Sequence, residues 1–159
     1  MNELLARLAE LDAANRDRPA PEPLVVRWWD VPKLTRTHLT PRTPVAIGPR
    51  TVSVGEDGSL VVQGRIRLGP ETGKDLPALQ AAASLAAEWF EDGVPPFVHP
   101  GRVATVIEEP PETIHLVLRC GLPEVAGVQD AFGTLYELER AMVQALGVSP
   151  GAMGRPPWT

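Results

Sequence analysis

Hydrophobic residues recur along this chain with two spacings, and each spacing predicts a different kind of element. In residues 2–15 the leucines follow one another every three or four positions, which places them on one face of an amphipathic helix. The same spacing runs through residues 75–92 and 128–146, and the glycines at 93 and 147 are suited to end both helices. The pattern therefore predicts three helices, at the start, in the middle and near the end of the chain.

Alternation of apolar and polar residues predicts two β-hairpins between these helices. The first covers residues 51–68, with a turn at 55–58 that contains two glycines. The second covers residues 103–122, whose two strands flank a turn that contains two prolines. Gly64 lies on the inward face of the first hairpin, so we expect a bulge there or a helix that packs closely on the strand.

Prolines divide the rest of the chain into less regular segments. Residues 16–23 are predicted to be a proline-rich linker, and residues 30–50 an irregular basic segment that prolines interrupt repeatedly. Residues 24–29 have the composition of a strand, and one short strand is expected at Val45–Ile47. The tail, residues 151–159, is expected to be loosely held.

These elements predict a single α+β domain over residues 1–159. Its antiparallel sheet has about five strands and three helices, in the order α-β-(β)-ββ-α-ββ-α, and the helices pack on the sheet. The order resembles the α-β-β-β-α-β-β-α arrangement of type III secretion chaperone-like domains, including the YbjN-type proteins. The resemblance covers most of the chain and concerns topology alone, and it implies a chaperone-like fold and role as expectations.

Charge is distributed unevenly along the chain, whose net charge is −5. Residues 18–50 contain six Lys or Arg against two acids, whereas residues 51–159 contain seven Lys or Arg against fourteen acids. Such segregation favours docking between the two parts, within one chain or between copies, or capture of an anionic partner. The acidic total argues against a whole-protein nucleic-acid binder, since domains of that class are usually basic.

Residues 18–50, which we call the basic segment from here on, carry two adjacent tryptophans and form the best candidate binding site. Guanidinium and ammonium groups bind phosphate or carboxylate, and indole rings stack on bases or fill protein interfaces. If the segment is a strand, its two tryptophans point to opposite faces. We predict an interface with another protein or a second copy, with single-stranded nucleic acid or plain packing within the chain as alternatives. The candidate residues are Arg27, Trp28, Trp29, Lys33, Arg36 and Arg42.

Residues suited to catalysis or cofactor binding are sparse. Cys120 is the one cysteine, so an intramolecular disulfide and a cysteine zinc site within one chain are impossible. The three histidines have no metal-ligand spacing and no glycine-rich phosphate loop occurs, so no metal or cofactor is expected. A small enzyme that uses His99, Arg102 and Cys120 stays open as an alternative, provided that the three converge in one cleft.

The sequence therefore predicts a small, non-catalytic protein that binds other proteins as an adaptor or chaperone-like factor and forms a homodimer. Binding of single-stranded nucleic acid or another polyanion through the basic segment is the alternative. No run of about 18 consecutive apolar residues occurs, so no membrane span is expected, and the cytoplasm is the expected compartment.

Overall fold

The fold is known from a computed structural model, which describes residues 3–69, 76–94, 97, 99–108, 114–123, 125 and 127–159. Within these ranges the chain forms an α+β fold with a six-stranded mixed sheet and three helices, which confirms the predicted class. The helices are α1 (Glu3–Asn15), α2 (Leu76–Asp92) and α3 (Val128–Leu146). The strands are β1 (Leu24–Val25), β2 (Val45–Ile47), β3 (Arg50–Val54), β4 (Leu60–Leu68), β5 (Arg102–Glu108) and β6 (Ile114–Leu122).

The sheet differs from the predicted one in strand number and in direction. Its order is β1-β2-β3-β4-β6-β5, with six strands instead of about five. Neighbouring strands are antiparallel except β1 and β2, which are parallel, so the sheet is mixed. A parallel pair requires a connection that brings the chain back to the level at which the first strand began, and the residues between Val26 and Pro44 make this crossover. Such a crossover leaves no alternating pattern in the sequence.

One face of the sheet forms the core together with α2 and α3. Alternate residues of β4 and β6 point to this face and are buried, while α3 lies across β3 and β4 and α2 lies over β5. Phe132, Leu135 and Leu138 of α3 are fully buried there. Complete burial of such side chains contributes about 1.5–3 kcal/mol each, so this layer supplies the main stabilisation of the fold.

At two glycines the main chain lies very close to neighbouring parts of the fold. A Cβ atom on Gly64 would lie 2.6 Å from Oε2 of Glu139 on α3, which confirms the predicted close packing of a helix on this strand. A Cβ atom on Gly101 would lie 2.5 Å from the Gly121 carbonyl oxygen and 2.7 Å from the Phe90 ring. Both positions therefore exclude any side chain unless their neighbours shift.

The strand expected over residues 24–29 is shorter than predicted. It ends at Val25, and Trp28–Lys33 and Arg36–His38 form 3-10 helical turns instead. Its partner β2 is only three residues long, and the last backbone hydrogen bond between the two segments runs from the Val26 N–H to the Ala46 carbonyl. The short strand predicted at Val45–Ile47 is confirmed.

The residues at the two ends of the fold also contact its body. Leu4 and Leu8 of α1 are buried in the core cluster, and so is Met153 in the tail. In the parts of the chain that the structure describes, no helix combines the length and apolar character needed to cross a membrane.

Candidate functional site

Two of the predicted binding residues join the basic segment to the body of the protein. Arg36 donates a hydrogen bond from Nη2 to the Val125 carbonyl, and its buried Nε has no partner among the described residues. Arg42 lies with Nη1 3.9 Å from Oδ2 of Asp12 on α1. These cations therefore dock the segment onto its own chain, which is the packing alternative that the sequence left open.

Three more of the predicted residues lie at the surface. The Arg27 guanidinium is 5.3 Å from the centre of the Trp29 ring, and Trp29 is 62% exposed. Lys33 contacts Asp30 at 3.3 Å, an exposed pair three residues apart. Of the six predicted residues, Arg27 and Trp29 thus form an exposed basic and aromatic patch.

The sixth predicted residue, Trp28, belongs to a row of aromatic rings. Its ring meets that of Trp158 edge to face, with centroids 5.8 Å apart. Trp158 meets Tyr136 of α3 in the same way at 4.7 Å. Pairs of this geometry add to the apolar burial of the rings, so Trp28 is held by the tail and by α3.

A buried ion pair places the tail that carries Trp158. Arg50 on β3 donates from Nε to both carboxylate oxygens of Glu139, at 2.7 and 3.2 Å, and both side chains are almost completely buried. Arg50 also donates from Nη1 to the Arg155 carbonyl at 2.5 Å and from Nη2 to the Met153 carbonyl at 2.9 Å. Two carbonyl groups of the tail thus accept hydrogen bonds from a buried guanidinium. The tail is attached at these two residues, whereas the sequence predicted that it would be loosely held.

The Glu139 carboxyl responds to two opposing effects. Burial raises the pKa of Glu139 to about 7, and the charge and hydrogen bonds of Arg50 act in the lowering direction. Gly64 on β4 has no side chain, which leaves room for the Glu139 carboxylate beside this strand. This pair lies inside the fold and serves to position β3, α3 and the tail.

Beside the aromatic row lies an open cleft of about 460 Å³, which we call the aromatic cleft. Its aromatic members come from the basic segment, from the loop after α2 and from the tail, and its polar members come mainly from one side of α3. The cleft is lined by Trp28, Phe97, His99, Gln129, Asp130, Gly133, Thr134, Glu137 and Trp158.

Two carboxylates give the aromatic cleft an acidic rim. Asp130 lies in the first turn of α3, where the helix dipole favours its negative charge. Glu137 lies two turns further along and is 3.3 Å from Arg140, an exposed pair that contributes little. Among the described residues no basic side chain pairs with Asp130. The aromatic cleft therefore combines indole rings with negative charge.

The three residues of the enzyme alternative are not brought together. Cys120 is 1% exposed and faces the core, where burial and then the charge of Glu139 raise the pKa of its thiol. Arg102 pairs with Gly121 in the sheet, so its side chain lies on the opposite face from that of Cys120. His99 lines the aromatic cleft. A buried thiol with a raised pKa is a poor nucleophile, so this geometry does not favour catalysis by the three residues.

Sequence reasoning singled out Trp28 and His99 but missed Asp130, Glu137 and Trp158 as members of the aromatic cleft. Asp130 and Glu137 look like ordinary solvent-facing residues of an amphipathic helix, and only their spacing of seven residues shows that they share a face. Trp158 lies in a tail without any periodic pattern, so no local signal links it to a cleft. In the described ranges no three His, Cys, Asp or Glu side chains are grouped as metal ligands.

No known protein family, no curated protein and no solved structure was found to match this chain.

Proposed function

We propose that this protein is a non-catalytic binding protein whose aromatic cleft takes a Lys or Arg side chain of a partner protein. The observation that carries the proposal is the placement of Trp28 and Trp158 beside Asp130 and Glu137 in one open cleft. The faces of indole rings attract ammonium and guanidinium groups, and nearby carboxylates add to this attraction. A basic side chain offers both the aliphatic stem and the charge that such a cleft accepts.

The size and composition of the aromatic cleft support a peptide segment as its occupant. A volume of about 460 Å³ lies within the range of sites that bind small molecules or a few side chains. Beyond the neighbouring backbone of α3 itself, nothing lies within 4 Å of the place where a Cβ of Gly133 would be, so the α3 side of the cleft is not filled at this residue. An adaptor or chaperone-like role, which the element order suggested by resemblance, is part of this proposal.

The proposal is tested by titrating the protein with trilysine and following tryptophan fluorescence at low salt, with triglutamate as the charge control. We expect trilysine to change the tryptophan emission and triglutamate to leave it unchanged. The double variant Asp130→Asn, Glu137→Gln should weaken trilysine binding about tenfold, because both carboxylates of the rim lose their charge.

A matched variant separates the aromatic cleft from the general acidity of the protein. Glu88→Gln with Asp92→Asn removes the same charge from exposed positions on α2 and should leave trilysine binding unchanged. Absence of any response to trilysine, or equal weakening by the two double variants, would contradict the proposal. Thermal melts of each variant establish that the fold is retained.

A second candidate is binding of single-stranded nucleic acid, which the exposed Arg27 and Trp29 pair favours. A base could stack on the Trp29 ring while the Arg27 guanidinium contacts a phosphate. Titration with oligo(dT) and oligo(U) at low salt should then quench tryptophan emission, and Trp29→Ala should remove the effect. Lack of quenching by either oligonucleotide would dismiss this candidate.

A further inference from the structure

The last strand of the sheet, β5, has an open outer edge. It pairs with β6 on one side, and no strand among the described residues pairs with its other side. Edge strands of soluble proteins are commonly protected by an inserted lysine or proline, or are very short. β5 is seven residues long, and its five central residues, Val103–Ile107, include neither lysine nor proline and carry no charge. Val106 is 59% exposed.

The charged residues of β5 make this edge complementary to itself. Arg102 begins the strand and Glu108 ends it, each three residues from Thr105. If a second copy pairs antiparallel across a twofold axis at Thr105, Arg102 faces Glu108 of the second copy at both ends. Val103 then faces Ile107 of the second copy. Residues that face each other in this register lie on the same side of the sheet, as an antiparallel ladder requires.

We propose that two copies of this chain associate by antiparallel pairing of their β5 strands, centred on Thr105, to form a continuous sheet. Each central apolar residue then gains a cross-strand neighbour, and opposite charges face each other at both ends. The existing contact between Arg65 and Glu108 does not prevent Glu108 from pairing with Arg102 of the second copy. It is exposed, its shortest distance is 3.4 Å, and a carboxylate accepts several hydrogen bonds.

The exposed apolar residues of α2 support the same interface. α2 is the helix that packs on β5, and Leu85 and Trp89, one turn apart, are 43% and 40% exposed. Thr105 points to the α2 side of the sheet, since it pairs with the buried Leu118, and yet it is exposed. α2 thus leaves this part of the β5 edge uncovered, and a twofold axis perpendicular to the sheet places the α2 of the second copy on the same side of the sheet as Leu85 and Trp89.

The symmetry of this pairing limits it to two copies. Antiparallel pairing of identical strands is isologous, so it uses both β5 edges and leaves none free. The opposite edge of the sheet is β1, which is only two residues long. A second copy is therefore the occupant that the strand specifies, and no residue of β5 lines the aromatic cleft.

Charge reversal tests the register directly by sedimentation velocity and equilibrium. We expect the wild type to dimerise. Arg102→Glu makes both ends of β5 acidic and Glu108→Arg makes both ends basic, so each variant alone should dimerise at least about tenfold more weakly. An equimolar mixture of the two should recover the dimer, because an acidic end of one strand then faces a basic end of the other on both sides of the axis. A folding defect in either variant would not be repaired by mixing.

Cross-linking tests the position of the axis. Thr105→Cys places two thiols opposite each other, with Cβ atoms about 4.5–5.5 Å apart, so mild oxidation should give a covalent dimer. Val25→Cys, which is exposed on the opposite edge strand, should not cross-link above the background of collisions. The native Cys120 is buried and does not interfere.

Three results would overturn this inference. They are a wild type that stays monomeric up to several hundred micromolar, a dimer that neither charge reversal weakens, and variants whose mixture remains monomeric. None of these results depends on trilysine binding, so failure of the dimer and failure of the aromatic cleft are separable.

Discussion

Polar side chains of α1 bind the proline-rich linker at Glu22 and the irregular segment at Thr40 and Thr43. Asn15 donates to the Glu22 carbonyl at 2.9 Å and to Thr43 Oγ1 at 3.0 Å, and it accepts from the Glu22 N–H at 2.9 Å. Asp12 accepts from the hydroxyls of Thr40 at 2.5 Å and Thr43 at 2.9 Å. A helix end and a loop with little regular structure are thus joined by side chains whose hydrogen bonds are satisfied.

Loss of the Asp12 charge should destabilise the protein at neutral pH but not in acid. The hydrogen bond from Thr40 is the main cause that lowers the pKa of Asp12 below 3.8, helped by Thr43 and Arg42, while partial burial acts in the raising direction. A carboxyl with a lowered folded-state pKa adds stability that is present above pH 3.8 and is lost as the pH falls through that pKa. We expect Asp12→Asn to cost about 1 kcal/mol at pH 7.

Urea unfolding, followed by tryptophan fluorescence from pH 7 downward, checks this prediction. The difference between wild type and Asp12→Asn should shrink as the pH falls below 3.8. Asp17→Asn, which changes an exposed acid with no hydrogen bond or ion pair among the described residues, should have little effect at any pH. A difference that does not vary with pH would show that the Asp12 charge is unimportant.

Three elements meet at the Arg50 side chain. The guanidinium joins β3 to α3 through Glu139 and to the tail through the carbonyls of Met153 and Arg155, and it lies 5.4 Å from the Tyr136 ring. Its planar group satisfies partners in several directions at once, which a lysine ammonium cannot reproduce in the same place. Arg50 thus holds the tail, and with it one wall of the aromatic cleft, together with the buried Met153 and the ring contacts of Trp158.

Replacement of this arginine should release the tail. We expect Arg50→Lys to lower the free energy of unfolding by about 3 kcal/mol, because a buried ion pair and its carbonyl acceptors lose their geometry. Arg140→Lys changes an exposed arginine on α3 and should cost less than about 0.5 kcal/mol. Amide hydrogen exchange in residues 151–159 should be faster in Arg50→Lys than in wild type, and it should be unchanged in Arg140→Lys. Unchanged exchange there would mean that the tail is held without Arg50.

The two surfaces proposed for binding are formed by different residues of the molecule. The aromatic cleft is lined by Trp28 and by residues of the loop after α2, of α3 and of the tail, whereas β5 forms one edge of the sheet and contributes no lining residue. Under both proposals, a partner's basic side chain and a second copy would therefore contact different side chains. A dimer would present two aromatic clefts. A partner that carries two exposed Lys or Arg side chains at a suitable spacing would then bind more tightly than a partner that carries one.

Dimerisation should make thermal stability depend on protein concentration. Only folded copies can form the dimer, so dimerisation stabilises the fold by mass action. The temperature at the unfolding midpoint should therefore rise by several degrees between about 1 and 100 μM protein. Arg102→Glu should show a midpoint that is nearly independent of concentration. Scanning fluorimetry over this concentration range measures both midpoints. The prediction would be contradicted if the midpoints of wild type and Arg102→Glu rose equally with protein concentration.

The sequence predicted the elements well because local patterns control them. The bounds of α3 agree fully, since its apolar residues recur regularly and Gly147 ends it in a left-handed conformation. The close approach predicted at Gly64 is confirmed, because a glycine on a buried face leaves space that a neighbouring helix fills. The strand expected at Trp28 and Trp29 was wrong, because its length depended on a partner strand that is distant in sequence.

The candidate site was predicted only in part. Composition indicated the tryptophans and cations, but charge alone could not show that Arg36 and Arg42 would be used within the chain. Asp130 and Trp158 became members of one cleft only through the fold.

Local spacing of apolar, glycine and proline residues thus determined the class, the helices and most strands, because these depend on contacts between near neighbours. The parallel pairing of β1, the burial of Arg50 with Glu139 and the meeting of Trp28 with Trp158 were decided by tertiary structure alone. Each of them joins residues that lie far apart in the chain, and no local pattern encodes which distant groups will satisfy one another.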